Sequence, residues 1–180
     1  MTHITAGNWT LDPSHSEANF TVRHAGISKV RGSFEEFTGN AVFNDNLENS
    51  VINAEVKAAS VNTRNKDRDD HLRSADFLDV ENYPVISFNS LQLTDVEGNN
   101  FKLVGELTLR GVTKEVEFEG EFGGQAVDAF GVTRAGFEAE TEISREEFGL
   151  KWNAALETGG FLVSDKVKIQ LDVSFTYDDQ

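Results

Sequence analysis

The stretch KVKIQLDVSFTY, residues 166–177, alternates without a break: Val167, Ile169, Leu171, Val173, Phe175 and Tyr177 are apolar, and Lys168, Gln170, Asp172, Ser174 and Thr176 between them are polar. Successive side chains point to opposite faces in a β-strand, so a period of two sustained this long predicts a long strand with one buried face. The pattern recurs in FKLVGELTL (Phe101, Leu103, Leu107, Leu109), EVEFEGEF (Val116, Phe118, Phe122) and TRAGFEAETEI (Ala135, Phe137, Ala139, Ile143), and more briefly in ANFTVRH and INAEVKA. Their other faces carry Glu106, Glu117, Glu119, Glu121, Glu138, Glu140 and Glu142, which puts most of the acidity on the solvent side. VISFNSLQL holds Ile86 and Phe88 in phase and Leu91 and Leu93 out of phase, which predicts a bulge or bend. RGVT at 110–113 joins two alternating runs and reads as a hairpin turn.

About eight such one-faced strands must bury their apolar faces together, as an antiparallel barrel or a sandwich. Gly105, Gly120 and Gly136 inside strands favour the strong coiling of a barrel. The expectation is a single all-β domain over residues 1–180, an antiparallel eight-stranded barrel whose interior is filled by side chains or holds one small ligand. The 14 Phe against 2 Tyr and 2 Trp suit either a packed core or a roomy apolar interior.

With no Cys, disulfides and thiolate metal sites are excluded. A net charge of −15 makes the average surface repel phosphate backbones and anionic membranes, so nucleic acid is not an expected partner. The start MTHITAGNWTLD lacks a signal-peptide pattern and no run of apolar residues is long enough for a membrane span. The expected setting is cytoplasmic as written, and periplasmic or secreted if a leader was removed.

The segment VNTRNKDRDDHLRSADF at 61–77 interrupts the strands. Asn65 is placed to cap a short helix near residues 65–73, and Tyr83-Pro84 closes the excursion. Asp69, Asp70 and His71 point about 100° apart in turn around such a helix, so they do not converge on a metal or a catalytic site. The spacing predicts pairs between Asp69 and Arg73 and between Asp67 and His71, with Leu72, Phe77 and Leu78 docking on apolar surface. There is no Cys and no nucleophile elbow to support covalent catalysis.

Several segments in order, WTLDPSHSEANFTVRH, VRGSFEEFTG, SVNTRNKDRDDHLRSADFLDVENYPVISF, GELTLRGVTKEV and SREEFGL, followed by VSDKVKI, resemble the YceI-like family of polyisoprenoid-binding proteins. The resemblance runs along nearly the whole chain. It implies an extended lipocalin-like barrel whose tunnel holds a polyprenyl chain or similar lipid, with no chemistry done on it and no cofactor beyond that ligand. It also implies frequent export and frequent dimers.

On that implication the tunnel lining is expected from Phe20, Val22, Phe34, Phe37, Phe43 and Phe88, together with Leu103, Leu107, Phe118, Phe137 and Ile169, with ordinary core packing as the alternative for each. His24, in phase with Phe20 and Val22, and Arg64, Arg68 and Arg73 are the head-group candidates for a polyprenyl diphosphate or a prenylated quinone. The basic residues could equally balance Asp67, Asp69 and Asp70. Two other readings stand beside the carrier: an enzyme acting on a prenyl lipid through His24 or His71, and a fully packed structural or interaction module.

Overall fold

The computed structural model describes residues 3–157 and 160–178. Its strands are β1 (Gly7–Leu11), β2 (Glu17–His24), β3 (Ser28–Phe34), β4 (Phe37–Phe43), β5 (Val51–Lys57), β6 (Val61–Asn62), β7 (Val85–Glu97), β8 (Asn100–Leu109), β9 (Val112–Val127), β10 (Thr133–Ser144) and β11 (Val163–Tyr177). The helix α1 (Lys66–Arg73) lies between β6 and β7. All pairings are antiparallel, and five join strands that are not consecutive: β1 with β4, β3 with β6, β5 with β7, and β11 with both β1 and β2, the last two bringing the chain ends together. The β11 strand pairs with β2 along its first part and with β1 along its last, where Trp9 faces Tyr177 and Leu11 faces Phe175.

Short turns split three of the ribbons. β1 and β2 are halves of one bent ribbon, since both pair with β11 on one side and with the β3 and β4 halves of the next ribbon on the other. β5 and β6 continue the same scheme. Eleven strands therefore make the eight ribbons of a closed barrel, as the alternation predicted. Bends of this kind are invisible to a period count because the phase resumes beyond them.

The turns follow their residues. Arg110 and Gly111 both take positive φ, 50° and 71°, which makes the β8–β9 connection a two-residue turn matched to the twist of a hairpin. The phase slip in β7 is a bulge between Ser90 and Gln92, which leaves Leu91 exposed and turns Leu93 into the core. Strand glycines have a second use beyond coiling. A Cβ on Gly32, Gly105 or Gly120 would lie 2.3 Å from Cζ of Phe20, Phe88 or Phe101 respectively, so each glycine is the bed for a neighbouring strand's ring.

The interior is not uniform along its length. One half is close-packed around Trp9, Phe43, Leu93, Phe122, Ala135, Phe137 and Phe175, all nearly inaccessible. Phe43 stacks on Phe137 at 5.6 Å between centroids, and Phe101, Phe122 and Phe175 surround the same ring. In the other half, Phe20, Phe34, Phe88, Val167 and Ile169 are on the inward face yet only partly buried.

The helix completes the wall of that second half. β7 begins at Val85, opposite Lys57, so β6 has no β7 beside it. An uncovered strand edge exposes backbone groups that need partners. Here α1 supplies them: Arg73 donates to the carbonyls of Ala59 (2.8 Å) and Val61 (3.1 Å), and Arg68 to the carbonyl of Thr63 (2.7 Å). Asp69, buried, accepts from Thr63 N at 2.8 Å and Thr63 Oγ1 at 2.6 Å. Asn65 caps the helix by accepting from the Arg68 backbone N–H, as expected. Phe77 and Leu78 are buried with Leu107, Leu109, Phe148 and Leu150, and Leu72 packs against that cluster.

The predicted pairing within the helix is corrected by this arrangement. Asp69 does not reach Arg73, because its carboxylate is taken by Thr63; Asp70 instead bridges Lys66 (2.9 Å) and Arg73 (3.2 Å). His71 pairs with Asp76 rather than Asp67.

Candidate functional site, the apolar interior

A cavity of about 300 Å³ lies against both clusters: Phe20, Phe34, Phe88, Val167 and Ile169 of the less buried part border it, and so do Leu11, Leu93, Phe101 and Phe175 of the packed part. A void this large inside a barrel survives because the inward positions of successive strands carry too little volume to meet at the axis, while the backbone is held by hydrogen bonds around the ring. All eleven residues named from the sequence as lining lie on its wall: Phe20, Val22, Phe34, Phe37, Phe43, Phe88, Leu103, Leu107, Phe118, Phe137 and Ile169. The wall also includes Leu72, Phe77 and Leu78 from the helical excursion, and Val163, Val167, Leu171 and Val173 from β11. The last three share the inward phase of Ile169, so the same alternation pointed to them. The contribution of the excursion had no periodic signal.

The head-group candidates fare differently. His24 keeps the inward phase of its strand but is exposed and outside the cavity lining, at the last position of β2 before the hairpin turn. Arg68 and Arg73 are spent on the β5–β6 edge. Arg64 is exposed in a left-handed conformation (φ 63°) beside a shallow outer groove it shares with Arg31. None of these four borders the cavity.

The single charged residue among those lining the cavity is Arg145, which sequence reasoning did not single out. It is 3% exposed and donates to four backbone carbonyls, those of Leu150 (2.6 Å), Trp152 (2.9 Å), Val163 (3.0 Å) and Ser164 (2.8 Å). Burial pushes its pKa down, offset by the negative charges of Glu146 and Asp165. The guanidinium remains charged under ordinary conditions and acts as a clamp between the 145–152 stretch and the start of β11. Nothing in an SREEFGL string marks it as buried, because the contact partners are carbonyls up to 19 residues away.

His71 is fixed by Asp76 at 2.8 Å and by edge-on contacts with Phe77 and Trp152, at 5.0 and 4.7 Å between centroids. His15 pairs with Asp12 at 2.9 Å on the surface. Asp12 also receives Arg134 at 2.7 Å, and this guanidinium together with Ser14 holds its carboxyl well below the usual carboxylate range. Arg134 binds Asp128 at 2.8 Å as well, tying the β1–β2 bend to the β9–β10 connection. No group of His, Asp or Glu able to hold a metal occurs among the described residues. No helix among them is long and apolar enough to cross a membrane, and the outward faces of β9 and β10 carry Glu115, Glu117, Glu119, Glu121, Glu138, Glu140 and Glu142.

Comparison with known proteins agrees with this geometry. The model of the YceI-like domain matches residues 9–175. The UPF0312 protein SAB2563 of Staphylococcus aureus is 36% identical over 172 residues, covering 94% of this chain and 97% of that protein. Among solved structures, Burkholderia cenocepacia BcnA superposes with a TM-score of 0.80 at 19% identity, over 91% of this chain and 98% of that one. A polyisoprenoid binding domain from Saccharophagus degradans, implicated in plant cell wall breakdown, superposes with a TM-score of 0.72 at 16% identity, over 97% and 100%. At these identities the two structures speak for the fold.

Proposed function

The chain belongs to the YceI-like family, and from that premise we propose that it binds a long apolar ligand of the isoprenoid class, such as a polyprenyl diphosphate or a prenylated quinone, as a carrier or store. The observation that carries this reading is the inward wall of Phe20, Phe34, Phe88, Val167 and Ile169, apolar and yet only partly buried, around a cavity of about 300 Å³. An apolar hollow in a folded chain forgoes dispersion contacts that a hydrocarbon guest restores. A prenyl tail gains roughly 0.8 kcal/mol per buried methylene, against association costs of about 4–15 kcal/mol, so only tails with many buried carbons bind tightly. The cavity volume is at the lower end for ligand sites, which favours a threaded chain over a compact ring system.

No chemistry on the ligand is part of this reading. His71 is held by Asp76, Phe77 and Trp152 away from the cavity, and His24 is exposed, so neither is positioned as the acid or base of a prenyl-lipid enzyme. A fully packed interaction module is disfavoured by the void itself. Native mass spectrometry of purified protein, followed by solvent extraction, is expected to reveal a bound long-chain apolar molecule. A barrel that is empty as purified and takes up no polyprenyl lipid on incubation would end the proposal.

A further inference from the structure

We propose that the β2–β3 hairpin and the adjoining 160–166 segment form a docking surface for an anionic bilayer. In a chain with net charge −15, the outward faces of three neighbouring ribbons collect Arg23, Lys29, Arg31 and Lys166, all exposed. Arg23 stands directly opposite Lys29 in the register, and Thr21 lies between Arg31 and Lys168. Like charges facing each other across a ladder destabilise the fold, so their pairing asks for an outside counter-charge. None of the four is in an ion pair among the described residues, although Lys166 acts on the adjacent Asp165 carboxylate; the neighbouring Lys168 is excluded because Glu140 neutralises it at 3.5 Å.

Apolar groups sit at the same end. Ile27, at the hairpin tip, is 85% exposed, and Phe161 is 66% exposed. The Ala25 N–H donates to the Leu162 carbonyl, which sets the tip and the Phe161 segment side by side. Val22 and Val163, close behind them in the chain, line the cavity. Exposed bulky apolar residues ringed by cations match the chemistry of a bilayer interface with anionic head groups, which accepts both at once. The rest of the acidic surface is repelled, so the charge asymmetry also orients the barrel with the Val22 and Val163 end of its cavity toward the lipid.

The docking claim rests on surface chemistry, and it extends the lipid-carrier reading without depending on which lipid is held. The test is co-sedimentation of the purified protein with vesicles of phosphatidylcholine, or of phosphatidylcholine mixed with phosphatidylglycerol. Binding is expected only to the anionic vesicles and is expected to weaken as salt is raised. The variant Arg23→Gln, Lys29→Gln, Arg31→Gln is expected to lose affinity on the order of 100-fold, since each basic residue near an anionic surface contributes about a factor of five. The variant Ile27→Ser, Phe161→Ser is expected to release the protein from vesicles while leaving its retention on heparin unchanged. Failure of the unmodified protein to sediment, equal sedimentation with neutral vesicles, or a triple variant that binds as before would each overturn the proposal. Binding to heparin as strong as to vesicles, with no effect of the Ile27 and Phe161 changes on vesicles, would replace the bilayer by a soluble polyanion. Extraction of bound lipid from the same preparations is read separately, so an empty barrel and a non-docking surface are distinguishable outcomes.

Discussion

If the barrel holds an open cavity, adding volume on its wall should stabilise the protein, whereas the same operation at a closely packed position away from it should destabilise it. Val22, half-buried on the cavity wall opposite Val30 and Val167, is the position for the first case. Val22→Phe adds about four carbons worth roughly 0.8 kcal/mol each when fully buried; at a half-buried site the net gain is about 1–2 kcal/mol. Ala135, 0% exposed and packed in the aromatic half, is the position for the second. Ala135→Leu forces rings off their preferred rotamers and costs about 1–3 kcal/mol. The assay is urea unfolding of delipidated protein. With a slope of about 2 kcal/mol/M, the midpoint is expected to rise by roughly 0.5–1 M in Val22→Phe and to fall by roughly 0.5–1.5 M in Ala135→Leu. Ligand occupancy by native mass spectrometry is expected to fall in Val22→Phe, because the ring occupies space the tail would use. A loss of stability in Val22→Phe as large as that in Ala135→Leu, with occupancy unchanged, would refute an open cavity at Val22.

Two further outcomes test other parts of the structure. Gly105→Ala places a methyl against Phe88 Cζ, and the displaced ring is expected to cost about 1–3 kcal/mol in thermal or urea unfolding and to reduce lipid uptake by intruding on the cavity. Arg134→Met removes the main cause of the lowered Asp12 pKa. A carboxyl depressed in the folded state contributes stability that is present above its ordinary pKa near 4 and lost as the pH falls below it. The variant is therefore expected to lie closer to the unmodified protein in stability at acid pH than at neutral pH, as followed by circular dichroism during acid titration.

The RDDHLRS segment shows where sequence reasoning stops. Its helix, its Asn65 cap and its docking through Leu72, Phe77 and Leu78 were legible, because capping and apolar spacing are local. The partners of Asp69, Arg68 and Arg73 were not, because spacing within a helix offers each charge a neighbour on its own turn. The deciding competitor was a strand edge, that of Ala59, Val61 and Thr63, left bare by the late start of β7. A buried Asp69 bonded to a backbone N–H and a hydroxyl outweighs an exposed i,i+4 pair, which contributes only about 0.3–0.5 kcal/mol. His24 failed for a related reason: phase says which face a residue takes, and only the folded structure shows that this last position of β2 is exposed.

By itself, the amino-acid order determined the long strands and the face each of their residues takes, since the period of two is a property of the backbone and needs no partner. The tertiary structure alone decided which inward side chains meet in close packing and which border the cavity. That outcome depends on the summed volumes of side chains brought together from all eight ribbons and on where Arg145 and α1 pin their excursions, and neither quantity exists until the ring has closed.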